Sequence, residues 1–265
     1  MYLNAQSIIK KVDELQCAAE IQKPDIILIT ESWCNSDISD AFLSIDGYEV
    51  QTDLRIDRGD TARGRGGGLL TYTRVGLPIV KMNGVFENLQ GSAFKVRDLV
   101  IYLVYRSPNA RPESIAELCD LVKQAGKNSI FFGDFNLPGI DWRGGTATGR
   151  AAEFMEAVDD ALMEQMVEFA TQVSGNTLDL VITNAPERIT EVSEEGRLGS
   201  SDHTMIKVKI SQTRQQETTK EIRNWRRADW SAMRKDMSRV KWKTELQGST
   251  ENAKRVRYPC FIANF

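Results

Sequence analysis

Histidine is almost missing from this chain: His203 is the one imidazole in 265 residues. Cysteine is also sparse. Cys17, Cys34, Cys119 and Cys260 lie far apart with no paired ligand spacing, which excludes a disulfide framework and a zinc knuckle. No apolar run approaches the ~20 residues that span a bilayer. The opening Met-Tyr-Leu-Asn-Ala-Gln lacks the basic and then apolar segments of a secretory signal. These absences lead us to expect a nuclear or cytoplasmic protein with reduced thiols, neither secreted nor membrane-bound. At 265 residues and 41% apolar content, the chain can bury one sizeable core or two small ones.

The one histidine is placed where it can be used. It follows Ser200-Ser-Asp202 and opens the alternating run Thr204-Met-Ile-Lys-Val-Lys-Ile210, so it stands at a strand start beside a carboxylate. Imidazole trades a proton near neutral pH, and the carboxylate can help to hold a metal or a polarised water. Other polar residues also end or interrupt apolar runs. Glu31 follows Pro-Asp-Ile-Ile-Leu-Ile-Thr, Asp134 and Asn136 follow Asn-Ser-Ile-Phe-Phe-Gly, and Asp179 interrupts Thr-Leu-Asp-Leu-Val-Ile-Thr.

The net charge of −3 hides an uneven distribution. Residues 211–265 carry 13 basic against 6 acidic side chains, and residues 1–210 carry 21 against 31. A basic tail on an acidic body suits contact with a polyanion while the body gathers carboxylates for metal; a solvated linker accounts for the tail equally simply.

Periodicity predicts helices at 7–21 (Ile8, Val12, Leu15 and Ala19 on one face, capped by Ser7), at 113–125, and at 150–163 with Phe154, Val158 and Leu162 inward. Strands are predicted at 25–30, 48–52, 68–74, 79–82, 92–96, 99–105, 130–133, 178–183 and 204–210. Many strands with few helices imply packed sheets covered by helices. The run Arg63-Gly-Arg-Gly-Gly-Gly68 reads as a turn feeding a strand or as a phosphate cradle. It is not a P-loop, because the Walker lysine and hydroxyl are missing.

Phe131-Phe-Gly-Asp-Phe-Asn-Leu-Pro-Gly139 carries the most chemistry. On extended backbone, Asp134 and Asn136 leave the same face, so a carboxylate and an amide converge; ordinary turn chemistry is the competing reading. Together with Glu31 and Ser201-Asp-His203, the segment resembles the endonuclease/exonuclease/phosphatase family, which includes DNase I and apurinic/apyrimidinic endonucleases. More narrowly, residues 1–210 resemble the endonuclease domain of LINE-type non-LTR retrotransposons. Six motifs carry this likeness in order: Leu3–Ser7, Ile29–Trp33, Gly64–Gly68, Tyr105–Pro108, Thr177–Val181 and Ser201–His203.

The resemblance implies an α/β fold: a two-sheet sandwich of the DNase I-like type, flanked by helices, with a metal-dependent phosphodiesterase site on strand-end loops. It implies a Mg²⁺-dependent (or Mn²⁺-dependent) endonuclease whose partner is DNA and which nicks one strand to leave a 3′-hydroxyl. Glu31 matches the metal ligand, and Asp202 an acidic residue near the metal. Asn4 and Tyr105 match groups that contact or hold phosphate. Asp134 and Asn136 match residues that align and activate water, Asp179 the carboxylate that orients His203, and Thr171 a threonine near the site and a possible DNA contact. Arg106 is a possible phosphate contact or a surface salt-bridge partner. Only three residues precede Asn4, so a truncated first strand and reduced activity are expected, and Gln6 departs from the arginine or acidic residue of many relatives. Within the basic tail of residues 211–265, residues 223–240 resemble the linker before a reverse transcriptase that does not follow; Trp225, Arg226, Arg227 and Trp230 could stack on and pair with nucleic acid, or form a short docking helix. The alternatives are a phosphatase of the same fold and a relic that binds nucleic acid. No obligate protein partner is expected.

Overall fold

The structure is a computed structural model that describes residues 1–59, 66–84, 86–211 and 229–239. The chain divides into two compact units, Met1–Lys220 and Glu221–Phe265. In chain order, the first holds β1 (Tyr2–Asn4), α1 (Val12–Gln22), β2 (Ile26–Thr30), β3 (Tyr48–Val50), β4 (Leu69–Arg74), β5 (Val80–Met82), β6 (Gln90–Val96) and β7 (Leu99–Tyr105). It continues with α2 (Glu113–Gln124), β8 (Ser129–Asp134), β9 (Ile140–Asp141), β10 (Thr146–Ala147), α3 (Ala151–Asp160), β11 (Glu164–Gln165), β12 (Asp179–Thr183), β13 (Ile189–Arg197) and β14 (Thr204–Ile210). The second unit contributes α4 (Trp230–Met237), with Trp230 exposed. Trp225, Arg226 and Arg227 lie outside the described residues.

Two six-stranded mixed sheets form the body, in the orders β13-β14-β1-β2-β4-β3 and β11-β12-β8-β7-β6-β5, with β9 and β10 as a separate hairpin. The sandwich and its flanking helices are as the sequence implied. The apolar side chains sort into three layers of core. Leu15 and Ala19 of α1 pack on Ile27, Ile29 and Leu70 of the first sheet. Leu28, Ile101, Phe132, Val181 and Ile206 fill the space between the sheets. Leu118 and Val122 of α2 and Phe154 and Val158 of α3 cover Phe131 and Ile182 on the far side of the second sheet. This is why β2, β8 and β12 read as unbroken apolar runs: both of their faces are buried.

Several boundaries differ from the sequence reading. The first helix starts at Val12, and Ser7 does not cap it. The amides of Ser7 and Ile8 instead donate to the carbonyls of Glu31 and Ser32 at 2.8 and 3.0 Å, and Gln6 and Ser7 both have positive φ. The third helix stops at Asp160, and Leu162, expected inward, is 59% exposed at a left-handed φ of +54°; Met163 takes the buried position. Strand β13 was missed because Glu191, Glu194 and Glu195 give it little apolar content; it lies at a sheet edge, where water satisfies one flank.

Candidate active site

Strand alternation aims the polar residues at one seam. Tyr2 of β1 faces the inter-sheet core, and Asn4, two residues on, shares its side. By the same period, Tyr105 follows Ile101 and Leu103, Asp134 follows Ile130 and Phe132, and Asp179 precedes Val181, all inter-sheet residues. Strands β8 and β12 are antiparallel with Asp134 opposite Asp179, and parallel pairing sets Tyr105 beside Asp134. Three candidate side chains are therefore brought side by side on adjacent strands where the apolar filling ends.

Glu31 breaks this alternation. Its parity would turn it toward α1 with Ile27 and Ile29, but a φ of +54° ends the strand and swings the carboxylate to the seam. Its two oxygens accept from the Tyr105 hydroxyl and the Trp33 indole N–H. Neighbouring backbone fixes this left-handed turn, with Ser32 and Trp33 amides donating to the carbonyls of Gly68 and Gly67 at 3.0 and 2.9 Å. Gly68 has a φ of +91°, and a Cβ there would lie 2.3 Å from Ser32 Oγ. The described end of the glycine run thus acts as a close-packing surface for the Glu31 turn; residues 60–65 lie outside the described residues.

Four polar pairs cross from the first sheet or its loops to the second. Asn4 Nδ2 donates to Asp134 Oδ2 at 2.9 Å. Tyr2 Oη donates to Asp179 Oδ1 at 2.6 Å. His203 Nδ1 meets Asp179 Oδ2 at 2.6 Å. Tyr105 donates to Glu31. Asp202 sits at the edge, with Oδ2 accepting from Gln172 Nε2 at 3.1 Å and its amide donating to Gln6 Oε1 at 3.1 Å.

The protonation states follow from these contacts. Burial alone pulls the His203 imidazolium down, but the Asp179 hydrogen bond and charge, aided by Asp134 and Asp202, outweigh it and raise the ring from 6.5 to about 9. Burial, and then the Asp179 charge, push Asp134 well above the usual carboxylate range. Burial and the Glu31 charge raise the Tyr105 phenol, so it remains a neutral donor.

Three expectations need correction. Asp134 and Asn136 do not share an extended face: Asp134 Oδ1 accepts the Asn136 amide at 3.0 Å, Asn136 has a φ of +47°, and the segment closes as an Asx turn. The Asn136 side-chain amide instead donates to the Arg106 carbonyl at 2.8 Å. Arg106 is buried, not a surface salt-bridge partner; its guanidinium donates to Ser114 Oγ and to the Asn136 carbonyl at 2.9 and 3.0 Å. Thr171 is buried too, and its hydroxyl oxygen accepts from the amides of Leu178 and Asp179, both at 3.0 Å. Neither side chain is presented to solvent as a DNA contact. Both brace the strand ends that carry the carboxylates.

Residues 99–207 match a family profile described as endonuclease-reverse transcriptase. They span β7 to β14 and include Tyr105, Asp134, Asp179 and His203. Over these residues the chain is similar to that family. Solved structures of similar fold include the endonuclease domain of TRAS1, a telomere-specific non-LTR retrotransposon, at 19% identity and a TM-score of 0.60, covering 79% of this chain and 96% of that one. An AP endonuclease from Archaeoglobus fulgidus, at 14% identity and a TM-score of 0.61, covers 79% and 97%. The 3′ phosphatase NExo from Neisseria, bound to product DNA hairpin, has 15% identity and a TM-score of 0.60, covering 79% and 98%. No curated protein matches the chain.

The donor set of the seam fits a hard cation. Ligand atoms of Asp134, Asp179 and His203 all lie within 4.8 Å of one another. Among the described residues, Asp202 Oδ1 is buried without a hydrogen bond, 3.4 Å from His203 Nε2. The carboxylates of Asp134, Asp179 and Asp202 therefore surround the His203 ring. The nearby cationic side chain of Lys11 is spent on the carbonyls of Ala5 and Gln6. Such an oxygen-rich excess of negative charge suits a divalent ion. Sequence reasoning missed Tyr2, Gln172 and the Trp33 contact to Glu31. No local motif marks them, because each acts on a partner set by the fold. Among the described residues no helix is long and apolar enough to cross a membrane, and Cys17, Cys34 and Cys119 are free thiols.

Proposed function

We propose that this protein is a metal-dependent DNA endonuclease that hydrolyses a phosphodiester bond in one strand, leaving a 3′-hydroxyl. The observation that carries the reading is the buried Asp179–His203 pair facing Asp134 across adjacent strand ends. An imidazole held protonated to about pH 9 is a poor base and a good partner for phosphate oxygens. It neutralises the charge that builds on them in the transition state. Asp134, as the carboxylate, takes the proton of the attacking water while Asn4 and the Asn136 amide hold its two oxygens. Water adds to phosphorus, the P–O3′ bond breaks, and the 3′-oxygen takes a proton from solvent water and leaves as a hydroxyl. Tyr105, as a neutral phenol, keeps Glu31 in place. Glu31 and Asp202 would hold Mg²⁺ or Mn²⁺, which supplies Lewis-acid stabilisation of phosphate charge.

The DNA substrate is supported by the TRAS1 endonuclease domain, the AP endonuclease and the DNA-bound NExo, which share this fold. We infer no protein partner, and a nuclear or cytoplasmic site of action. The catalytic body is residues 1–210, and residues 211–265 form a basic tail. The deciding experiment is nicking of supercoiled plasmid with Mg²⁺, with and without EDTA, by the wild-type protein and by His203→Ala and Glu31→Ala. Open-circular product that vanishes with EDTA and in both variants supports the reading. A folded wild type that leaves plasmid intact but releases phosphate from a 3′-phosphorylated oligonucleotide would replace it with a phosphatase.

A further inference from the structure

We propose that Tyr2 is a buried positioning residue for the Asp179–His203 pair. The inference rests on the hydrolase reading only for its kinetic consequence. The Tyr2 side chain is fully buried between the sheets. Its hydroxyl lies 2.6 Å from Asp179 Oδ1 and 2.9 Å from Thr30 Oγ1, while the other Asp179 oxygen meets His203 Nδ1 at 2.6 Å. A carboxylate with one donor can rotate about its Cβ–Cγ bond; a second donor from the opposite side fixes its plane. That second donor stands on β1, and the imidazole stands at the start of β14, the strand next to it. Tyr2 therefore registers the carboxylate of one sheet against the histidine of the other. Its phenol is pushed well above its ordinary value, by burial and then by the Asp179 charge, so it stays a donor. Thr171 Oγ1 accepts the Asp179 amide at 3.0 Å, which holds the backbone and leaves the side-chain torsion as the freedom Tyr2 removes.

The sole histidine makes the test direct, because its ring resonances need no assignment. In the wild type, proton NMR should show a far-downfield Nδ1–H signal from the short bond to Asp179. In Tyr2→Phe, which keeps the ring and deletes the donor, that signal should broaden and move toward the ordinary imidazole position. Nicking kcat should fall on the order of tenfold, as when an orienting partner is removed, with KM within about twofold. Thr30→Val, which leaves Tyr2 but removes the hydroxyl that pins it, should move the signal in the same direction by less, and it serves if Tyr2→Phe does not fold. A Nδ1–H signal unchanged in the folded variants overturns the proposal. So does a kcat loss no larger than the fall in folded fraction measured by circular dichroism. The NMR arm needs no substrate, so a wild type that does not nick would count against the endonuclease reading and leave this test intact.

Discussion

At the scale of single residues, His203 governs the pH response. Its ionised form is favoured by Asp179 up to about pH 9, so its folded value exceeds the ordinary 6.5. The stability this pair contributes is full below pH 6.5 and is lost as pH rises through about 9. Both activity and melting temperature should decline over that interval, as read by plasmid nicking and thermal melts in matched buffers. In His203→Asn the alkaline fall in stability should flatten. His203→Ala should lower kcat by roughly 10³-fold, the scale of losing one donor to a developing oxyanion, which single-turnover nicking would measure. The residues with motif chemistry were legible without the structure: Asp134, Asp179 and His203 stand out as polar groups at the ends of apolar runs. Tyr2 was not, because it reads as a core aromatic, and its partner lies 177 residues away in sequence.

At the scale of elements, the site depends on close packing between strands. Gly133 of β8 lies against β7 so tightly that a Cβ there would be 1.9 Å from the Val104 carbonyl oxygen. Rigid backbone cannot step aside as a side-chain tip can, so Gly133→Ala should destabilise by about 3 kcal/mol, read as a lower midpoint in urea. Gly68→Ala meets both a positive φ and Ser32; it should cost about 1–3 kcal/mol and lower activity beyond its effect on stability, because the Glu31 turn moves with it. Elements with strong periodicity could be read to the residue: β7 and β14 have the bounds that apolar content and alternation indicate. Elements set by tertiary bonds could not. The β1–α1 loop looked helical, but its amides are spent on the Glu31 turn. The Gly-Asp-Phe-Asn segment looked extended, but the Asp134 carboxylate captures the Asn136 amide.

At the scale of the whole molecule, charge is divided between an acidic body and a basic tail. With 13 basic residues in 211–265, the tail should supply salt-sensitive attraction to a polyanion. Protein ending at Lys220, the limit of the first compact unit, should keep its nicking kcat within a few-fold. It should bind DNA more weakly, with a shallower dependence of affinity on salt, and filter binding across a salt series would measure both. The layered fold was legible from the order of helices and strands and from the apolar runs; how the sheets meet was not, because strand pairing joins residues far apart in sequence. That joining has a temporal consequence. The first sheet is begun by β1 and closed by β14, while every strand of the second is made in between. A chain emerging from the ribosome therefore carries Glu31, Asp134 and Asp179 before it carries His203, and the proposed site should stay incomplete until the final strand is synthesised and inserted beside the first.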